Sequence, residues 1–212
     1  MRRDRPDEAP RYTRAPMSGI LVVCTGNVCR SPVAEGLLRA ALALRLGDDA
    51  PPVTSAGTIG WEGSSADPYS VEAAAERGVD ISDHRARMLR RPDVLQAGLV
   101  LAMAREHAEA VPAESRTKTF TLKELVRLLE TLPAPEAGDP GAVLVDRIAR
   151  ADAQRRNGYA GNPRDEDVVD PLGMPLESFR AVAWELDELC GRLADGLFGR
   201  EPARAEVEAE VE

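Results

Sequence analysis

Aromatic residues are scarce in this chain: three Phe, three Tyr and two Trp stand among 212 positions. Its core must therefore rest on Leu, Val, Ile and Ala. Three cysteines supply no disulfide framework. Together with two histidines they also lack the ligand spacing of a zinc site, so no metal is expected. No stretch approaches the roughly 18 consecutive apolar residues of a membrane-spanning helix. The start, MRRDRPDEAPRYTRAP, is Arg-rich but carries Asp4, Asp7 and Glu8 and has no apolar centre. It reads as neither a secretory signal nor a transit peptide. Positive charge is in deficit overall, and a formal charge of −9 disfavours general nucleic-acid or acidic-membrane binding. An anion site here must be a local device set against the global field. These absences point to a cytoplasmic chain with reduced thiols.

What remains suits one sizeable globular domain with flexible additions: 43% of residues are hydrophobic and 30% charged. Residues 1–18 read as a disordered arm, with Met17 an equally good start of translation. The domain is expected over 19–198 and an acidic, disordered tail over 199–212. Ile20 to Val23 is a short apolar run, as in a strand buried on both faces. Ser31-Pro32 then looks like the N-cap and first position of a helix reaching about Leu46. Val53-Thr54-Ser55 predicts a second strand, Leu99 to Met103 a third, and Thr119-Phe120 a short fourth. Helices are predicted over Ser70–Arg77, with Gly78 past the end, and over Leu122–Leu132. Residues 133–168 are punctuated by Pro and Gly and predict a long loop, with room for a short helix over Ala142–Arg155. A final helix from Pro175 carries Phe179, Val182, Leu186, Leu189, Leu193 and Leu197 at helical spacing. Strands alternating with helices predict an α/β domain with a mainly parallel sheet.

The informative segment is Cys24-Thr25-Gly26-Asn27-Val28-Cys29-Arg30-Ser31-Pro32, between the first strand and the first helix. At such a junction, unpaired backbone N–H groups converge and the helix dipole favours negative charge. Gly26 lets the backbone curl tightly. Cys24 stands at the bottom of this cradle, where the N–H groups and Arg30 favour its thiolate, the nucleophilic form. Arg30 can return to the loop mouth and grip two phosphate oxygens with its planar fork. A buried cysteine after a strand is often only a small apolar residue, and Cys-x5-Arg occurs by chance. Here strand, Gly, Asn, Arg, Ser-Pro and helix occur in order. A nucleotide P-loop would need a Gly-Lys-Ser/Thr ending, which is missing.

Attack on phosphorus also needs a proton for the leaving oxygen. Asp67-Pro68, Asp139-Pro140 and Asp170-Pro171 are the candidates, each of which is also an ordinary turn sequence. Asp170 is preferred, because it follows Val168-Val169 and directly precedes the last amphipathic helix, so rigid elements can hold it.

Cys24 to Pro32 resembles the signature of the low-molecular-weight protein-tyrosine phosphatases. Ser55-Ala56-Gly57-Thr58, Trp61, Asp83-His84-Arg85-Ala86-Arg87, Leu99 to Met103 and Phe120 to Glu124 follow in family order. Asp170-Pro171-Leu172-Gly173 looks like the bacterial branch that includes protein-arginine phosphatases. The resemblance implies a four-stranded parallel sheet flanked by helices, no cofactor, and a phosphorylated protein as partner. It implies Cys24 as nucleophile through a phosphocysteine, Arg30 as phosphate ligand, and Asp170 as acid and then base. Thr25 to Ser31 would form the phosphate loop, with Asn27 and Ser31 bracing it. Cys29 would be the family's second loop cysteine, able to pair with Cys24 on oxidation, or else a small packing residue.

Leu172 stands where many tyrosine-specific members carry an aromatic, which leaves Trp61 to supply the other wall of a phenol site. Val28 occupies the place where the arginine phosphatases carry threonine. Valine offers a ring apolar contact and gives a guanidinium nothing, so phosphotyrosine is the expected substrate and phosphoarginine the alternative. Arsenate reduction on the same fold would need a close later cysteine pair, which Cys190 alone does not provide. A phosphate-binding module without turnover is a further alternative, opposed by intact Cys24, Arg30 and Asp170. His84 and His107 are expected to be structural or exposed, and Cys190 to be core.

Overall fold

A computed structural model describes residues 19–158 and 166–200. The expected arm over 1–18, residues 159–165 of the insert and most of the acidic tail lie outside the described residues. Four strands, β1 (Ile20–Cys24), β2 (Val53–Gly57), β3 (Leu99–Ala102) and β4 (Thr119–Thr121), form one parallel sheet in the order β2-β1-β3-β4. The central strand β1 is buried at every position. Its side chains alternate: Ile20, Val22 and Cys24 join one core, while Leu21 and Val23 join another on the opposite face. Two-sided burial explains why the strand reads as a continuous apolar run.

The larger core lies under α1 (Arg30–Leu46), α2 (Pro68–Ala75), α5 (Leu122–Glu130) and α7 (Leu176–Phe198). Leu38, Leu42, Phe120, Leu125, Leu186 and Leu193 fill it at 1% exposure or less. Each such side chain contributes about 1.5–3 kcal/mol relative to exposure, so aliphatic residues suffice where aromatics are few. The smaller core closes the other face with Val94 of α3 (Arg91–Gln96) and Val111, which follows α4 (Arg105–Glu109). Neither α3 nor α4 was expected; at six and five residues they are too short for a helical period to show.

The insert departs from a long loop. It contains α6 (Pro140–Arg156), 17 residues that extend the short helix expected over Ala142–Arg155 at both ends. Asp139 is its N-cap, accepting the Ala142 N–H at 3.1 Å, and Pro140 is its first residue. The Pro and Gly signals thus mark a helix start rather than continuous loop. Arg147, buried on α6, donates to the carbonyls of Leu129, Gly196 and Pro133, which ties α6 to the C-terminal ends of α5 and α7. Arg155 reaches the edge of the sheet, donating to Thr119 O at 2.9 Å and covering the Phe120 ring at 4.2 Å. No helix among the described residues is long and apolar enough to cross a membrane.

Candidate active site

Cys24 ends β1 and Arg30 opens α1, so the five residues between them must turn the chain at the C-terminal edge of the sheet. Their carbonyls are all claimed by groups outside the turn. Thr25 O accepts from Ile59 N at 3.0 Å, Gly26 O from Trp61 N at 3.4 Å, and Val28 O from Asp67 N at 2.9 Å. Asn27 O bonds His84 Nε2 at 2.8 Å, and Cys29 O accepts from Val33 N inside α1. In a trans peptide the next N–H points opposite to the carbonyl. The N–H groups of Gly26 through Arg30 are therefore turned to the centre of the loop, where Asn27 N meets Cys24 Sγ at 3.3 Å. That is a nest of donors around a sulfur.

Asn27 makes the curl possible. It is the one non-glycine residue with positive φ (58°) among the described residues, and it is fully buried. Three bonds hold it there: Nδ2 donates to Ser31 Oγ at 2.9 Å and Ser55 Oγ at 2.8 Å, and Oδ1 accepts from Arg87 N at 2.9 Å. Ser55 in turn donates to Glu35 at 2.6 Å. Ser31 Oγ accepts from Asn27 and lies 3.0 Å from Cys24 Sγ, close enough for its proton to be given to a thiolate there. This corrects the expected N-cap: Cys29 takes the cap position of α1, and the Ser31 hydroxyl faces the sulfur instead. Gly57 completes the bed, since a Cβ there would stand 2.6 Å from Thr25 O.

Arg30 is almost wholly buried, with Nη1 on Val168 O at 3.1 Å and Nη2 on Thr25 Oγ1 at 3.2 Å and Asp170 Oδ2 at 2.6 Å. Its Nε is buried with no protein partner among the described residues. A bare guanidinium N–H beside a nest of backbone donors matches the oxygens of a phosphate. Of the three Asp-Pro pairs, Asp170 meets Arg30, whereas Asp67 and Asp139 are the N-caps of α2 and α6. One small pocket is lined by Cys24, Thr25, Gly26, Val28, Cys29, Arg30, Trp61, Asp170 and Leu172. Asn27 and Ser31 lie behind the loop rather than in the pocket. A wider hollow near α4 and α6 has four arginines and four carboxylates in its wall, with Arg155 on Asp152 at 2.7 Å, and no cysteine.

Fold and loop together decide the kinship. A family model described as low molecular weight phosphotyrosine protein phosphatase matches residues 19–139. This chain belongs to that family. A protein-arginine-phosphatase of Geobacillus stearothermophilus is 32% identical over 181 residues, covering 84% of this chain and 95% of that protein. A probable low molecular weight protein-tyrosine-phosphatase EpsP of Ralstonia solanacearum is 44% identical over 106 residues, 50% of this chain and 69% of that one. Among solved structures, a low molecular weight protein tyrosine phosphatase from T. tengcongensis superposes with a TM-score of 0.61 at 35% identity, covering 85% of this chain and 99% of that one. As a family member the chain carries the phosphatase loop on the expected four-stranded parallel sheet.

Burial governs the second loop cysteine. Desolvation pushes the Cys29 thiol up to about 12, against a hydrogen bond with Ser70 that works the other way, and Asp67 and Asp170 add to the rise. Cys29 is thus a neutral thiol at neutral pH. Burial first, and then the Arg30 charge, pull the His107 imidazolium below its ordinary value. Both histidines are structural, but their place was not foreseen: each touches the loop, His84 at Asn27 O and His107 at Thr25 Oγ1. The Asp83–Arg87 motif is a signal that could have found His84; a lone His107 between Glu106 and Ala108 offers none. Cys190 is core, its sulfur 3.7 Å from Ala34 O.

Proposed function

We propose that this phosphatase hydrolyses phosphotyrosine on proteins through a phosphocysteine. The observation that carries this reading is the pocket wall: buried Val28, with half-exposed Trp61 and Leu172, faces Cys24 and Asp170. A phenol ring suits such a wall, whereas each guanidinium N–H buried against it would lack an acceptor.

The Cys24 thiolate attacks phosphorus, the bond to the phenolic oxygen breaks, and Asp170 gives that oxygen its proton. Asp170, now a carboxylate, takes a proton from water as that water attacks the phosphocysteine. The P–S bond breaks, and orthophosphate and thiolate result. The Ser31 hydroxyl and the Asn27 N–H stabilise the departing sulfur. Arg30 holds Asp170 at 2.6 Å through Nη2. A phosphate dianion gripped by Nε and Nη2 competes with the Asp170 carboxyl for that guanidinium.

Phosphoarginine is the second reading, supported by the arginine-phosphatase relative matching over 84% of the chain and by Leu172-Gly173 after Asp-Pro. Measuring kcat/KM for a phosphotyrosine peptide and a phosphoarginine peptide decides between them. The wild type should prefer phosphotyrosine, and Val28→Thr should move the ratio toward phosphoarginine by about tenfold, the worth of one good hydrogen bond. A wild type that prefers phosphoarginine would overturn the choice.

A further inference from the structure

Thr25 sits in the loop with a hydroxyl whose bonding can be counted completely. Arg30 Nη2 lies 3.2 Å from Thr25 Oγ1, and a guanidinium only donates, so the oxygen accepts there. His107 Nε2 lies 2.9 Å from the same oxygen on another side. Whether that bond runs to or from the ring depends on where the imidazole carries its proton.

Two neighbours decide it. His107 Nδ1 is buried and bonded to nothing among the described residues. A proton on Nδ1 would be a buried donor left unpaired, whereas a bare lone pair in that place costs less. Nε2 also faces Glu106 Oε1 at 3.3 Å, and a carboxylate oxygen opposes a lone pair but accepts an N–H. Both place the proton on Nε2, so His107 donates to Thr25.

The threonine oxygen then accepts twice, from Arg30 and from His107, and both its lone pairs are engaged. Its own proton remains. Those two groups are the only hydrogen-bond neighbours of the hydroxyl among the described residues, and Thr25 lines the pocket with Cys24, Arg30 and Asp170. We propose that the Thr25 hydroxyl is a fixed donor to a phosphoryl oxygen in this pocket, with His107 as the positioning residue that turns it there. The inference rests on the phosphatase reading of the site and adds a side-chain donor to its backbone nest. It also accounts for the burial of a histidine that bonds the loop through one nitrogen only.

Inorganic phosphate binding, followed by calorimetry, tests the donor separately from turnover. Thr25→Val keeps the shape of the side chain and removes the hydroxyl. It should weaken phosphate binding about tenfold to a hundredfold, the range for a hydrogen bond to a charged group. Thr25→Ser should bind within about threefold of wild type. Equal binding by wild type and Thr25→Val would overturn the proposal, as would equal loss in the serine and valine variants.

The positioning role has its own signature: nitrogen chemical shifts of the ring in the wild type should show His107 protonated at Nε2, and protonation at Nδ1 would sink the argument. His107→Leu should lower phosphate affinity less than Thr25→Val does, because the hydroxyl is kept but freed to turn. A wild type that binds phosphate without hydrolysing aryl phosphate would defeat the phosphatase reading and leave the Thr25 comparison to be judged by binding alone.

Discussion

In the proposed mechanism Asp170 serves as acid and then as base with one carboxylate, and the leaving group sets how much the first role matters. A basic phenolate needs its proton more than an acidic one does. Asp170→Asn should therefore cut kcat strongly on phosphotyrosine, whose phenol has a pKa of about 10, and much less on an ester of a more acidic phenol. Equal losses across a series of aryl phosphates would take Asp170 out of the acid role. Cys24→Ser and Arg30→Lys should each lower kcat at least about a thousandfold while the circular dichroism spectrum stays native, since one removes the nucleophile and the other the bidentate clamp. Phosphate binding separates them: Cys24→Ser keeps Arg30 Nε and the nest and should bind more tightly than Arg30→Lys. Wild-type rates in folded Cys24→Ser would rule the mechanism out.

The residues in these tests were legible in the sequence because the loop is contiguous and its chemistry is local. Ser55 and His107 reach the loop, and Glu35 reaches Ser55, only through tertiary packing, so no spacing in the sequence announces these contacts.

Elements differ in the same way. The strands and the long helices α1 and α7 follow from apolar runs and helical spacing, and their bounds fall close to expectation. α6 runs longer than its sequence announces because Asp139-Pro140 has two meanings, turn and helix start, and only packing chooses between them. The choice is made by Arg147, whose guanidinium gives hydrogen bonds to the carbonyls of Gly196 near the end of α7, Pro133 just past α5 and Leu129 in the last turn of α5. Arg147→Met should destabilise the fold by about 2 kcal/mol, since the aliphatic stem is kept while the part-buried carbonyls of Gly196 and Pro133 lose their donor. Chemical denaturation measures this, and a change under about 0.5 kcal/mol would show that α6 docks by apolar contact alone. Aryl phosphate turnover should be nearly unchanged in the folded fraction, because Arg147 touches none of the pocket residues.

At the scale of the whole molecule, two buried thiols set an alkaline limit. Cys29 is raised from an ordinary value of 9.0 to about 12, and burial raises Cys190 as well. Above pH 9 the unfolded chain releases these protons while the folded chain keeps them, so the unfolded state is favoured as pH rises toward 12. Below pH 9 both states hold the protons and the effect vanishes. Melting temperature should fall across pH 9–12, and the Cys29→Ala, Cys190→Ala double variant should show a flatter fall. An unchanged slope would mean that both thiols ionise freely in the folded protein.

The long reach between Arg30 and Asp170, 140 positions apart yet bonded at 2.6 Å, also has a temporal side. During synthesis at roughly 5–20 residues per second, the nucleophile and its cradle leave the ribosome on the order of ten seconds before the acid does. α7, which packs on α1, α2 and α5, comes later still. On the proposed mechanism, a nascent or prematurely released chain displays the thiol without the carboxylate that completes the cycle, so translation itself would withhold activity until that residue has been made.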